Sequence, residues 1–436
     1  MKEGHMKWHI ILGKVLIVMF ITMAVTRCTT DNEAKKWLEA KDTESPPTEA
    51  LNSPATISES FTMDITDERG SAAFIFENVS TVDLYTIVLD ADNPVAGSLV
   101  QIKERNGTNN RVIFQAVSSA SGEVTGSFTI DTVIDIVQLV INYKGKEHKF
   151  DIQVKELLKI GRKIYFNSSI TPTQVMDTDA DGIPDDQDAY PNDATKATMV
   201  RYPAQSTYTL AFEDLYPNKG DADFNDYVLS ISHEEDLDAQ GKVVAIRGNY
   251  VHIARGAGYK HTLHMRLPSL DQATLVKKHT KPNGTIVSNT TTTLTDGQDL
   301  DLMPRSDTTI SQSNTGTSQP FKIGDSLAFE LTFTQPIDRT SLGSAPYDIF
   351  IKVINTGHEI HLTGKYQATD GSDIYLDSDG FPWALLVPNS WQWMYERKNI
   401  HDAYPNFINW YSSNGVVNRD WYDLPVDTFV FPYLGQ

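Results

Sequence analysis

Between about Ile57 and Val154 apolar and polar residues alternate with a period of two. FTMDI, AAFIFENV, LYTIVLD, SLVQIKE, RVIFQAV, GSFTIDT, IVQLVINYK and KFDIQV are short β-branched and aromatic runs, broken by Gly, Asn, Asp and Ser. Such alternation buries one face of a strand and wets the other, so about eight strands in a hundred residues predict a β-sandwich over 57–158. A second region, 199–436, carries YTLAF, YVLSIS, VVAIRGNYVHIA, TLHMRL, LAFELTF and YDIFIKVI, again at strand period. Asn/Ser/Thr-rich stretches such as SNTTTTLTDGQ read as loops. One short helix is expected at Pro405–Ser412, with proline in its first turn, Phe407, Ile408, Trp410 and Tyr411 as its apolar residues, and Gly415 just beyond it. The fold class that follows is mainly β: tandem β-sandwich domains joined by an acidic calcium-binding linker at 159–198, with little helix.

The first 28 residues follow another pattern. MKEGHMKWHIILGK is basic and Val15–Val25 is an apolar run of signal-peptide length, too short beside Lys14 for a comfortable membrane span. The only cysteine of the chain, Cys28, follows at once. It makes no internal disulfide and fits the lipid-acceptor cysteine of a bacterial lipoprotein, although Arg27 stands where a small residue is usual. Residues 29–56 are polar, broken by Pro46, Pro47 and Pro54, and read as a tether. The expectation is an exported chain held to the outer membrane or cell surface by an N-terminal lipid anchor.

Charge narrows the partners. The formal net charge is −20 over 436 residues, while the basic leader is locally positive, so the body is strongly acidic. It repels phosphate backbones and has no basic patch with interleaved aromatics, which disfavours nucleic acid and favours divalent cations.

The acidity is concentrated in two places. DTDADGIPDDQDAYPND, residues 177–193, places Asp177, Asp179 and Asp181 at positions 1, 3 and 5 of a twelve-residue calcium loop. Gly182 takes the sharp turn at position 6, the Ile183 carbonyl position 7, Asp185 position 9 and Asp188 position 12. Oxygen donors at that spacing, with glycine where backbone freedom is needed, suit a hard cation, Ca²⁺. Pro184 and Pro191 oppose the helices that would flank an EF-hand. The second cluster lies in TLAFEDLYPNKGDADFNDYVL. If Tyr208–Phe212 and Tyr227–Ser232 pair as a hairpin, Glu213, Asp214, Asp221, Asp223, Asn225 and Asp226 converge at one end of the sheet. Oxygen donors without His or Cys again favour calcium over zinc.

These stretches resemble known families. The D-x-D-x-D-G-x-x-D-x-x-D-x-x-P pattern resembles a thrombospondin type 3 repeat, which implies a calcium-organised linker. AGSLVQIKERNGTNNRVIFQAVSSASGEVTGSFTI resembles a transthyretin- or carboxypeptidase-regulatory-like repeat, which implies a stalk or spacer domain. DGIPDDQDAYPND, TLAFEDLYPNKGDADFNDYVL and DGFPWALLVPNSWQWMYERKNIHDAYPNFINWYSSNGVVNRDWY, in that order over about Asp177–Tyr422, resemble the LruC-domain family of bacterial outer-membrane lipoproteins. That resemblance implies an exported β-rich domain without established catalysis.

Fragments that suggest an enzyme fail on context. Gly324-Asp325-Ser326-Leu327 spells an esterase signature but opens a strand pattern, and no Asp-x-x-His follows it to activate the serine. His358-Glu359-Ile360-His361 is one residue short of a zinc-protease motif, and His261 and His264 fall on opposite faces of a strand. Trp383, Trp391, Trp393 and Tyr395 could stack sugars, but read better as core. The expectation is a non-enzymatic, calcium-stiffened surface lipoprotein that binds a glycan, matrix protein or other surface partner. The alternative is a secreted hydrolase, or an accessory subunit of one, with purely structural calcium.

Overall fold

The computed structural model describes residues 7–10, 59–70, 74–106, 109–168, 175–256, 258–267, 272–295, 299–343, 345–388 and 391–432. Cys28, the tether and all of the leader except Lys7–Ile10 lie outside them. The chain is mainly β, and the alternation in its sequence becomes two stacked pairs of sheets.

In the first pair, the larger sheet is ordered Lys7–Ile10, Glu59–Ile65, Leu157–Ser168, Val79–Asp90, with Glu123–Asp131 also on Val79–Asp90. The facing sheet is ordered Lys146–Gln153, Ile136–Tyr143, Leu99–Asn106, Asn109–Val117. Val82, Leu84, Val100, Ile102, Phe114, Phe128, Ile141, Ile160 and Phe166 fill the space between them. Lys7–Ile10 falls within the segment read from the sequence as a leader and pairs along the Glu59–Ile65 edge.

Three expectations change here. Leu157–Ser168 continues the first sandwich past the expected boundary at 158. It runs parallel to Val79–Asp90 and antiparallel to Glu59–Ile65, so the linker begins only after it. Only Val79, the last residue of the AAFIFENV run, opens Val79–Asp90, and residues 74–78 form no strand of this sandwich. Phe74 and Phe76 leave it to pack on Trp410, with ring centroids 5.1 and 6.0 Å away, and the Phe76 amide donates to Thr363 Oγ1 at 3.0 Å. Aromatic surface had more to gain in the second domain than in a further strand. The Thr-rich segment expected to be a loop forms the edge strand Ile286–Thr295, which pairs with Gln272–Thr280. Threonine is β-branched and suits a pleated, solvated edge, which a polarity reading alone misses.

The second sandwich has an eight-stranded sheet whose path runs Ile286–Thr295, Gln272–Thr280, Ser326–Ile337, Val243–Ala254, Tyr227–Leu237, Tyr208–Phe212, Ala384–Pro388, with Thr198–Tyr202 also on Tyr227–Leu237. A four-stranded sheet, Leu300–Met303, His261–Arg266, Asp348–Val353 and Glu359–His361, covers one face. The C-terminal segment covers the other. Trp391, Trp393, Phe407, Trp410, Trp421 and Phe431 pack onto Ala211, Val228, Ile253, Leu385 and Val387. Burial on both faces explains why Tyr227–Leu237 is buried almost throughout and shows no clean alternation. The tryptophans at 383, 391 and 393 are core, as expected, and Tyr395 packs beside them. The expected helix is Phe407–Ser412, with Ile400–Ala403 as a further turn before it.

The sandwiches also touch directly. The Val117 amide donates to the Ala239 carbonyl at 2.9 Å and the Tyr208 hydroxyl to Asp131 at 3.0 Å. Arg339, buried against Glu235 at 2.9 Å, reaches the Ser127 carbonyl of the first sandwich.

Candidate metal centres

The acidic linker folds as a loop organised around its own carboxylates. Asp177 accepts from the amides of Ala180 at 2.8 Å and Gly182 at 3.0 Å. Asp181 accepts from the Ile183 amide at 2.7 Å. Gly182 has φ 101°, which makes position 6 the turn that only glycine adopts without strain. Oxygens of Asp177, Asp179 and Asp181 lie within 4.8 Å of one another. Buried oxygens of Asp179, Asp181 and Asp188 (Oδ2 in each) have no hydrogen-bond partner. Orphaned carboxylate oxygens gathered in one loop are costly, and a cation is the group that satisfies them together. Burial, with repulsion from neighbouring aspartates, raises Asp181 to about 6 and also raises Asp188.

Asp185 does something else. Both its oxygens are taken by Thr178, from the amide and the hydroxyl, each at 2.7 Å. It therefore also closes the loop across its mouth, besides standing at position 9. Ile183 contributes more than a carbonyl. Its fully buried side chain packs with Leu99 and Val117 of the first sandwich and with Ala197 and Ala239 beside the second. Gln115 donates to the Gln187 carbonyl at 3.0 Å, while Tyr190 and Lys196 reach Asp236 of the second sandwich at 2.6 and 3.0 Å. The loop is thus bonded to both sandwiches that it joins.

The hairpin forms as expected, with Phe212 opposite Tyr227, and its loop lies at the end of the large sheet. Of the six residues expected to converge there, three acids lie tightest, and Asp226 is near enough to Glu213, Asp214 and Asp223 that burial first, and then their charges, push its carboxyl well above the usual range. Oxygens of Glu213, Asp221 and Asp223 lie within 4.8 Å of one another. Glu213 and Asp223 are buried and Asp221 is exposed. Asp223 Oδ1 is buried without a partner, while its other oxygen accepts from the Arg397 amide at 2.6 Å. Burial first, and then the surrounding acids, push Glu213 up to about 7 and Asp223 to about 9. A buried group of acids that resists ionisation in this way gains stability when a dication neutralises it.

The other three also have partners elsewhere in the fold. Asp214 pairs with the buried His261, Nε2 to Oδ2 at 2.9 Å. Asp226 accepts from the Asp214 amide at 2.9 Å and ties the two ends of the loop together. Asn225 donates to the Met394 carbonyl at 3.2 Å and fits against Gly256, where any Cβ would collide with its side-chain oxygen, and that buried Oδ1, like Asp223 Oδ1, has no hydrogen-bond partner. Nothing in the spacing distinguishes these from ligands, because their partners come from distant strands and loops.

The enzyme-like fragments find structural partners. Asp325 pairs with His279 at 2.7 Å, while the Ser326 hydroxyl donates to the Thr280 carbonyl at 3.4 Å. His361 pairs with Asp348 at 2.6 Å within the four-stranded sheet. No helix among the described residues is long and apolar enough to cross a membrane.

No curated protein matches the chain by sequence. Among solved structures, a candidate lipoprotein from Bacteroides ovatus aligns at 15% identity with a TM-score of 0.47, covering 77% of this chain and 99% of that one. A 9R-lipoxygenase from Cyanothece aligns at 8% identity with a TM-score of 0.15, covering 54% of this chain and 45% of that one. The family model that matches, over residues 241–422, carries the description Domain of unknown function (DUF4842), and its span begins after both acidic clusters.

Proposed function

We propose that the chain is a calcium-binding, exported surface lipoprotein that acts as a binding or structural module, anchored through Cys28. The leader, the cysteine behind it and the polar tether support export and anchoring, as does the order of motifs resembling LruC-domain lipoproteins. The description of the Bacteroides ovatus protein is in keeping with this. The observation that carries the calcium reading is the set of orphaned Oδ2 atoms on Asp179, Asp181 and Asp188, in a loop whose spacing resembles a thrombospondin type 3 repeat. Because the loop is bonded to both sandwiches, an ion there reinforces an interface that direct contacts already hold. A site that binds the folded chain alone adds stability in proportion to the logarithm of ion concentration over Kd.

Calcium titration by calorimetry tests this. Sites in the extracellular class are expected, on the order of 10⁻⁴ to 10⁻³ M or somewhat tighter. Asp181→Ala combined with Asp188→Ala should remove one of them and lower the calcium-dependent rise in Tm. A wild-type chain that takes up no calcium, and melts identically with and without chelator, defeats the proposal.

A further inference from the structure

Glu213, one of the hairpin-tip acids, stands at the wall of a cleft of about 330 Å³. Glu213, Gly220 and Ala222 form one side, and Phe381, Trp383 and Tyr411 are among the residues opposite. Phe381 and Tyr411 are half-buried and meet edge to face, ring centroids 6.4 Å apart at 81°. The acids by themselves do not complete a coordination shell. Glu213 commits one oxygen to the Phe224 amide at 2.5 Å, and Asp223 commits one to the Arg397 amide. Three carboxylates with oxygens already committed in this way supply at most roughly half of the six to eight ligands that calcium takes. Glu213 itself lines the cleft, so the open positions face it.

We propose that this cleft recognises a neutral sugar, held by a vicinal pair of hydroxyls on the calcium and by the corner of Phe381 and Tyr411, one ring against its apolar face and the other, nearly perpendicular, at its edge. The inference rests on the reading of the hairpin tip as a calcium site. Adjacent hydroxyls supply two hard oxygen donors at once and replace water on the ion. The C–H face of a pyranose ring packs on an aromatic face, which a small anion cannot do. Charge selects in the same direction. Glu213, Asp377 and Asp379 line the cleft, and its one lysine, Lys219, already pairs with both Asp377 and Asp379, so a carboxylate or phosphate ligand meets net repulsion.

Saturation-transfer NMR on the full-length chain tests the proposal. The probes are methyl glycosides of mannose, fucose, glucose and galactose, each at about 10 mM to suit millimolar affinity. Each is measured with calcium and with EGTA, alongside a calcium titration of the same sample. At least one glycoside should show transfer with calcium and lose it in EGTA. Asp221→Asn, at an exposed position that the fold does not need, should remove one calcium site and the transfer together. If calcium binds and no glycoside shows transfer, the sugar site is overturned while the calcium reading stands. Transfer that survives EGTA or Asp221→Asn also overturns it, because the sugar is then not on the metal. A chain that takes up no calcium sinks both readings.

Discussion

A proton and a calcium ion should compete for Asp181, so affinity at the linker loop falls as the solution is acidified. In the metal-free chain burial raises this carboxyl to about 6; the Ile183 amide offsets part of that rise, and Asp188, Asp179 and Asp177 add to it. A carboxyl raised on folding stabilises the metal-free fold below its unfolded value, near 4, and that contribution is lost as pH rises through about 6. Calcium reverses the preference, because it binds the ionised form. At about pH 7.5 Asp181 is almost free of protons, whereas at about pH 5 a pKa near 6 leaves roughly one loop in eleven ionised, a tenfold loss of apparent affinity. Asp181 is partly exposed, and solvent screening trims this toward roughly threefold. Calorimetry at the two pH values, in buffers with different heats of ionisation, measures both affinity and proton release. Release should approach one proton per ion at the lower pH and be close to none at the higher. An affinity that stays level or rises on acidification refutes the reasoning, and so does equal proton release at both values.

Two further outcomes follow from buried charge. Arg339→Met leaves Glu235 buried without its cation and removes the contact to Ser127 of the first sandwich. It should cost roughly 3–5 kcal/mol in urea unfolding, and a loss below about 1 kcal/mol counts against a buried pair. His233 and His252 are fully buried, and burial depresses both to about 3. Their contribution is present above the unfolded value near 6.5 and is lost as pH falls from there toward 3, by up to about 1.4 kcal/mol per pH unit for each. His233→Phe should make the acid side of the Tm profile in chelator shallower, and an unchanged slope rules this origin out.

The sequence by itself determined the local features of this protein. A period of two marked most of the strands, because a sheet wetted on one face writes its burial directly into the alternation. The turn of the linker loop was equally legible. Its clustered carboxylates come from one short segment, and Gly182 meets a backbone requirement set within that segment. Tertiary structure decided everything that depends on surfaces distant in sequence. It sent Phe74 and Phe76 to Trp410, drew Leu157–Ser168 into the first sandwich, and buried Tyr227–Leu237 on both faces. At the hairpin tip it sorted identical acids into different roles. Asp223 was left with an orphaned oxygen among Glu213 and Asp221, while Asp214, one residue from Glu213, was claimed by His261 from another strand. A carboxylate carries the same charge in either role, and whether it holds a metal or a histidine is fixed by what folds against it.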